Sequence, residues 1–337
     1  MIAFTGGGTG GHLAIVDAIK EHLEVSKIYI GSTRGLDRAW FENDESFEAR
    51  YFLQSQSVVD KGKLGRILTM AKIFKEALRA RAILKKHNVK VVFSVGGYSA
   101  APTAFAALSL RVPLVIHEQN AFMGSLNRLL KPFAKDVISP YDNGTLKIAA
   151  PVKEIFFQTR RVRSKIETIL ISGGSQGSLF LNNFALSLAP ILKEKGIRIY
   201  HQAGIKHEEK VKKEYEKLGV EANVFGFSKE LPSIIAQADF AIARAGSSTL
   251  WEFVANGLPA LFVPYPYAAG DHQYYNAKYL SDKNLAWVKR ENELDVDFVK
   301  QLLEQDMSQR SEALPKEIDS NGARKIAQYL EELSRKF

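Results

Sequence analysis

The sequence predicts an α/β protein of two tandem Rossmann-like domains, each a parallel sheet with helices on both faces. Three observations carry this expectation. Short apolar runs alternate with amphipathic stretches along all 337 residues, as in parallel strands buried on both faces. A chain of that length accommodates two domains at roughly 100–200 residues each. A strand, a glycine-rich turn and a helix start occur twice, as "IAFTGGGTGGH" at Ile2–His12 and "TILISGGSQGS" at Thr168–Ser178.

In the first half, Ile2–Phe4, Lys27–Ile30, Val91–Val95 and Leu114–His117 read as strands. In the second, Thr168–Ser172, Ile197–Gln202, Asn223–Phe227, Phe240–Ala243 and Ala260–Pro264 read likewise, with amphipathic helices such as Gly177–Leu192 and Glu208–Leu218 between them. The expected domains are residues 1–153 and 154–320, joined by a connector around Ala149–Phe157. Residues 321–337 hold a helical stretch, Ala323–Leu333, expected to return to the first domain. Parallel sheets of this kind bind ligands outside the carboxyl ends of their strands, where the glycine turns lie. The two sheets are therefore expected to face each other across a cleft.

Apolar residues make up 46% and charged residues 25%, as in soluble globular proteins. The absence of cysteine excludes disulfides and thiolate metal sites. The start lacks the basic and apolar regions of a signal peptide, and no apolar run approaches the length of a membrane span, so the expected compartment is the cytoplasm. Lys61–Lys90 contains ten Lys/Arg against one acid, Glu76, and so carries a net +9, equal to that of the whole chain. The basicity is a patch.

Glycine-rich turns ahead of helix starts suit phosphate-bearing ligands. Gly6, Gly8 and Gly11 satisfy the dinucleotide fingerprint, but that fingerprint also requires an acid at the end of the second strand. Gly31-Ser32-Thr33 stand there instead, against a nicotinamide cofactor. Neither turn continues into the Gly-Lys-Ser/Thr of a P-loop. In the second half, Arg244-Ala245-Gly246 leads into Ser247-Ser248-Thr249 at a helix start, where amides and hydroxyls can cradle a diphosphate. Glu252, a turn later, is placed to accept both hydroxyls of a ribose. A serine N-cap with a dipole-favoured acid is the plainer alternative. His272 and Gln273 offer polar groups at a later helix start, or form an ordinary polar turn.

Taken together, "TGGGTGGH", "HEQNAFMG", "GGSQG", "RAGSSTLWE", "GLPALFVPYP" and "DHQYYNA" make the chain, over nearly its whole length, resemble the MurG-like family of peptidoglycan N-acetylglucosaminyltransferases. The resemblance implies a GT-B fold and inverting transfer of N-acetylglucosamine from UDP-GlcNAc to lipid I, giving lipid II. It assigns Arg244, Ser247, Ser248, Thr249, Leu250 and Glu252 to the diphosphate and ribose. It places the main chain at Phe227 and Ser228 against uracil, Ser175 along the donor site, and Gln273 with His272 on the sugar hydroxyls. From the first domain it brings Thr9, Gly10, Gly11 and Asn120. Two departures stand out. The connector reads "APVK", putting Lys153 where the family has arginine and losing that residue's bidentate fork. Ile15 also stands where a proline often follows the histidine.

The attacking hydroxyl of the acceptor must lose a proton, and imidazole titrates near neutral pH. His12 is the expected general base, the alternative being a ring that only holds its own loop. His117 and Glu118 are the runners-up. The departing diphosphate needs donors and cations rather than an obligatory metal. Asp295-Val296-Asp297 reads as a helix cap, so neither metal nor cofactor is expected. Ile67, Met70, Lys72, Ile73, Phe74, Lys75, Arg79 and Arg81 form an apolar and basic stripe suited to an anionic membrane surface, with Arg128, Lys131, Lys135, Phe122 and Met123 as extensions. The stripe has no aromatic series for stacking nucleic acid. The resemblance places the protein at the cytoplasmic face of the inner membrane, with cell-wall synthesis or division proteins as further partners. A UDP-sugar 2-epimerase on the same fold and a non-catalytic nucleotide-sugar-binding regulator are the competing functions.

Overall fold

The structure, a computed structural model, describes residues 1–55, 63–174 and 176–337, the side chains of 63–67 excepted. The chain divides into two compact units, Met1–Val152 together with Asn321–Phe337, and Lys153–Ser320.

The strands of the first unit are β1 (Ile2–Thr5), β2 (Lys27–Ser32), β3 (Ala49–Leu53), β4 (Val91–Ser94), β5 (Leu114–His117), β6 (Asp136–Ser139) and β7 (Leu146–Lys147). They form one parallel sheet in the order β3-β2-β1-β4-β5-β6-β7. The central strands are short and continuously apolar because both faces are covered. Successive side chains alternate between faces: Ile2, Phe4, Val91 and Phe93 join one core with helices Gly10–Lys20 and Gly322–Lys336. Ala3 and Val92 join the other, with Lys63–Lys86 and Ala101–Leu110. The last helix packs on Gly10–Lys20, and Glu331 accepts the Glu24 N–H at 2.7 Å. β4 stops at Ser94 because Gly96 and Gly97 turn the chain with φ of 85° and 76°.

Helix Lys63–Lys86 corrects one sequence-based assignment. Ile73 does not lie on the exposed stripe; it is 7% exposed and points inward with Ala80 and Leu84. The outward face carries Leu68, Met70, Phe74 and Leu78. Glu76 is buried on the inward side, accepting from Arg79 at 2.9 Å. Arg81 is tied to the neighbouring helix through the Ser109 carbonyl (2.9 Å) and hydroxyl (2.7 Å). Ile67 lies where side chains are not described.

The second unit holds β8 (Thr168–Ser172), β9 (Arg198–Gln202), β10 (Asn223–Phe225), β11 (Phe240–Ala243), β12 (Ala260–Phe262) and β13 (Trp287–Val288). They are parallel in the order β10-β9-β8-β11-β12-β13. In both sheets the strand order reverses beside the first strand, at β1/β4 and at β8/β11. Such a switch point opens a crevice where the flanking loops part, and the glycine turns leave the sheets there. Arg163, fully buried, donates to the carbonyls of Ile235, Ala238 and Asn256. It thereby fixes the carboxyl ends of helices Leu231–Gln237 and Ser247–Asn256.

Candidate functional site

In the first unit, β1 delivers the chain into Gly6-Gly7-Gly8 and helix Gly10–Lys20. These glycines are hemmed in by protein. A Cβ on Gly6 would lie 2.4 Å from the Gly96 carbonyl oxygen, and one on Gly7 would lie 2.6 Å from Asp37 Oδ1. Thr9 occupies the N-cap position, yet its hydroxyl caps no backbone N–H. It meets His12 Nδ1 at 2.7 Å instead. A residue type that normally closes a helix start here holds an imidazole.

The other two candidate bases are occupied or sealed. His117 is buried, and neither ring nitrogen has a hydrogen-bond partner among the described residues. Burial, reinforced by His12, pushes its pKa down to about 3. Glu118 accepts from the Asn120 N–H (2.9 Å), Asn127 Nδ2 (2.9 Å) and the Gly124 N–H (2.9 Å). It folds the 118–124 loop rather than meeting a substrate proton. Asn143 Nδ2 anchors the same loop on the Asn120 carbonyl at 2.8 Å.

In the second unit, β11 runs into Arg244-Ala245-Gly246 and helix Ser247–Asn256. Gly246 at the N-cap provides no side-chain cap, and helix geometry gives first-turn amides no intrahelical acceptor. Glu252 is half-buried on this helix. Burial raises its pKa to about 7, with Lys153 pulling the other way. Leu250 departs from the sequence-based set. Its side chain is fully in the core and its N–H already donates to the Gly246 carbonyl at 3.0 Å, so it has no group to offer a ligand.

Arg244 is a brace as much as a surface cation. It donates to Ser178 Oγ (2.6 Å) and the Val263 carbonyl (3.0 Å), pairs with Glu291, and lies 5.6 Å from the Tyr265 ring centroid. Ser178 caps helix Leu179–Glu194, so Arg244 ties the turn after β8 to the turn after β11. Ser175 lies outside the described residues. Phe227, past the end of β10, is 45% exposed, and Ser228 Oγ accepts the Glu230 N–H at 3.0 Å. His272 Nδ1–H donates to the Ala269 carbonyl at 2.9 Å, and Gln273 Oε1 accepts the Tyr265 N–H at 2.9 Å. Both residues brace the loop before helix His272–Ser281. Asp295 caps helix Val296–Leu303 by accepting the Phe298 N–H at 2.7 Å, and Asp297 pairs with Lys300. No group of three or more His, Asp or Glu fit to hold a metal occurs among the described residues.

Three contributors fall outside the sequence-based set. Gly96–Gly97 press against the first glycine turn, and a glycine pair directly after a strand is the signal that marks them. Asn276, fully buried, donates to the Ala245 carbonyl at 3.2 Å and so shapes the turn after β11. Asp37 contacts Gly8 across 29 positions of sequence, beyond any local window.

Residues 2–139 match the glycosyltransferase family 28 N-terminal domain, and residues 168–330 match its C-terminal domain. The chain is 52% identical over 335 residues to a UDP-N-acetylglucosamine–N-acetylmuramyl-(pentapeptide) pyrophosphoryl-undecaprenol N-acetylglucosamine transferase of Sulfurovum sp., covering 99% of each chain. It is 49% identical over 332 residues to the Wolinella succinogenes protein of the same name, covering 98% of this chain and 99% of that one. Among solved structures it is similar to Acinetobacter baumannii MurG, with a TM-score of 0.76 at 26% identity and coverage of 98% and 99%. A Methanocaldococcus jannaschii UDP-GlcNAc 2-epimerase shares the fold at a TM-score of 0.62 and 12% identity. With two GT-B-type units and full-length identity of this order, the chain belongs to the family of UDP-N-acetylglucosamine–N-acetylmuramyl-(pentapeptide) pyrophosphoryl-undecaprenol N-acetylglucosamine transferases.

Proposed function

We infer that this chain transfers N-acetylglucosamine from UDP-GlcNAc to the 4-hydroxyl of the muramoyl sugar of lipid I, forming lipid II. The observation that carries this is 52% identity along 99% of both chains to a transferase of that name. The 2-epimerase alternative rests on the fold alone, at 12% identity.

The roles of individual residues follow from chemistry. His12 takes the acceptor's proton. Thr9 Oγ1 and His12 Nδ1 lie 2.7 Å apart; in the tautomer that donates Nδ1–H to the threonine oxygen, the basic nitrogen of the neutral ring is Nε2, and that oxygen steadies the imidazolium as it forms. The leaving diphosphate is met by the start of helix Ser247–Asn256, whose amides and dipole oppose developing negative charge, and by Lys153. Glu252 receives the ribose hydroxyls. Transfer then needs no metal in the site. A labelled sugar moving from UDP-GlcNAc to a lipid I analogue, at an unchanged rate in EDTA, supports these roles. Formation of UDP-N-acetylmannosamine identifies the epimerase instead, and binding without turnover identifies a regulator.

The acceptor is membrane-linked, and no described helix is long and apolar enough to cross a membrane. The first unit docks on the inner leaflet through Met70, Phe74, Lys72 and Lys75, apolar and basic residues exposed on one helix. Each cation is worth roughly 1 kcal/mol near anionic lipid. Lys72→Glu with Lys75→Glu is therefore expected to weaken binding to anionic vesicles by at least roughly thirtyfold, read by co-sedimentation. Unchanged binding refutes the docking face. Partner proteins for cell-wall synthesis or division are expected at the same membrane.

A further inference from the structure

The dinucleotide fingerprint lacks its acid at the end of β2, but an acid stands close by and faces the wrong way for a ribose. Asp37 is fully buried. Its Oδ2 accepts the Gly8 N–H at 2.7 Å, and its Oδ1 accepts from the Tyr29 hydroxyl and the Ser32 N–H, each at 2.9 Å. The same oxygen lies 2.6 Å from where a Cβ on Gly7 or Gly31 would stand. Glycine at both places is what admits the carboxyl group beneath the turn. The Gly8 amide, which in a dinucleotide fold would point at phosphate, is consumed inside the protein.

We propose that Asp37 is a positioning residue for sugar transfer: by holding the Gly8 N–H it fixes the turn that carries Thr9 and His12, and so sets where the imidazole meets the acceptor hydroxyl. This rests on His12 being the base. Gly8 immediately precedes Thr9, and Thr9 holds His12 Nδ1 at 2.7 Å, so Asp37 is linked to the ring by one hydrogen bond, one peptide and a second hydrogen bond. Tyr98 crowds Gly8 from the other side, its ring 3.1 Å from an added Cβ. Because Gly8 is peptide-bonded to Thr9, a turn released from Asp37 displaces Thr9 with it. Misplacing a catalytic group by about 1 Å costs up to about a hundredfold in rate.

The test is a double-mutant cycle on the full chain, reading transfer to a lipid I analogue. In Asp37→Asn one oxygen becomes an NH2 group and sets donor against donor at Gly8 or at Tyr29 and Ser32. The expected result is a kcat about 10- to 100-fold lower, with the KM for UDP-GlcNAc within about twofold of the parent. In a His12→Ala background the same substitution is expected to cost less than about threefold, because the group it positions is already gone. Equal losses in both backgrounds overturn the proposal. If His12→Ala itself leaves kcat intact, it is the base assignment that fails. Asp37→Ser, which withdraws the oxygen from Gly8 but leaves a hydroxyl near Tyr29, repeats the cycle should the asparagine variant not fold. Circular dichroism and the urea midpoint of each variant report that the first unit, which carries Asp37 and His12, is folded.

Discussion

The turn after β1 and the turn after β11 are the same device, a strand feeding a glycine-containing turn into a helix start at the switch point of a parallel sheet, and they differ in what surrounds the glycine. At Gly6 and Gly7 the space a side chain would need is filled by Gly96, Val95, Leu13 and Asp37. At Gly246 an added Cβ would meet no described atom within 4 Å, and φ is −62°, a value open to any residue. The first turn is bare because the protein packs on it. The second has no such packing among the described residues, and its glycine stands at a helix N-cap. A glycine-rich signature thus has two physical settings: one turn is packed against the protein and holds His12 through Thr9, the other is open.

Four changes sharpen or break this contrast. His12→Ala has the largest expected effect: a positioned base is worth about 10²- to 10⁴-fold, so kcat falls by that factor while UDP affinity, measured by calorimetry, stays within about twofold. Gly6→Ala comes next. A side chain at φ 106°, set 2.4 Å from a backbone oxygen, costs about 3 kcal/mol, visible as a lower urea midpoint. Gly246→Ala is expected to do the reverse, with stability within about 1 kcal/mol of the parent and UDP bound about tenfold more weakly. A large stability loss there would remove the distinction between the turns. The smallest change is set by pH. Ribose hydroxyls donate to a charged carboxylate, so UDP binding favours ionised Glu252 and lowers its pKa in the complex. Since its pKa in the free chain is about 7, affinity is full above that value and is lost as pH falls through it. From pH 7.5 to 6 the loss is about eightfold. It disappears in Glu252→Gln, which is weak at every pH.

The central strands were legible because burial on both faces makes them continuous apolar runs, such as "IAFT" at β1 and "TILIS" at β8. β3, "ARYFL" at the sheet edge and mostly half-buried, and the two-residue β7 and β13 lack that signature. The face of helix Lys63–Lys86 was misjudged at Ile73 because its inward stripe includes an acid. Glu76 is buried there and satisfied by Arg79, which breaks the rule that apolar residues mark the inside. His12 and Ser247–Glu252 could be proposed from sequence because their chemistry sits within a few residues of a glycine turn. Leu250 was included by adjacency, although the helix turns it into the core. Asp37 and Asn276 act across 29 and 31 positions, and only the fold brings such pairs together.

The division of labour between the two turns is tested most directly by measuring UDP affinity and the sugar-transfer rate on His12→Ala and Gly246→Ala side by side. A crossed result is predicted: His12→Ala loses at least about a hundredfold in transfer and keeps UDP, whereas Gly246→Ala loses UDP about tenfold and recovers its transfer rate at saturating donor. If UDP affinity falls with His12→Ala as far as it does with Gly246→Ala, the nucleotide is not held where this account puts it.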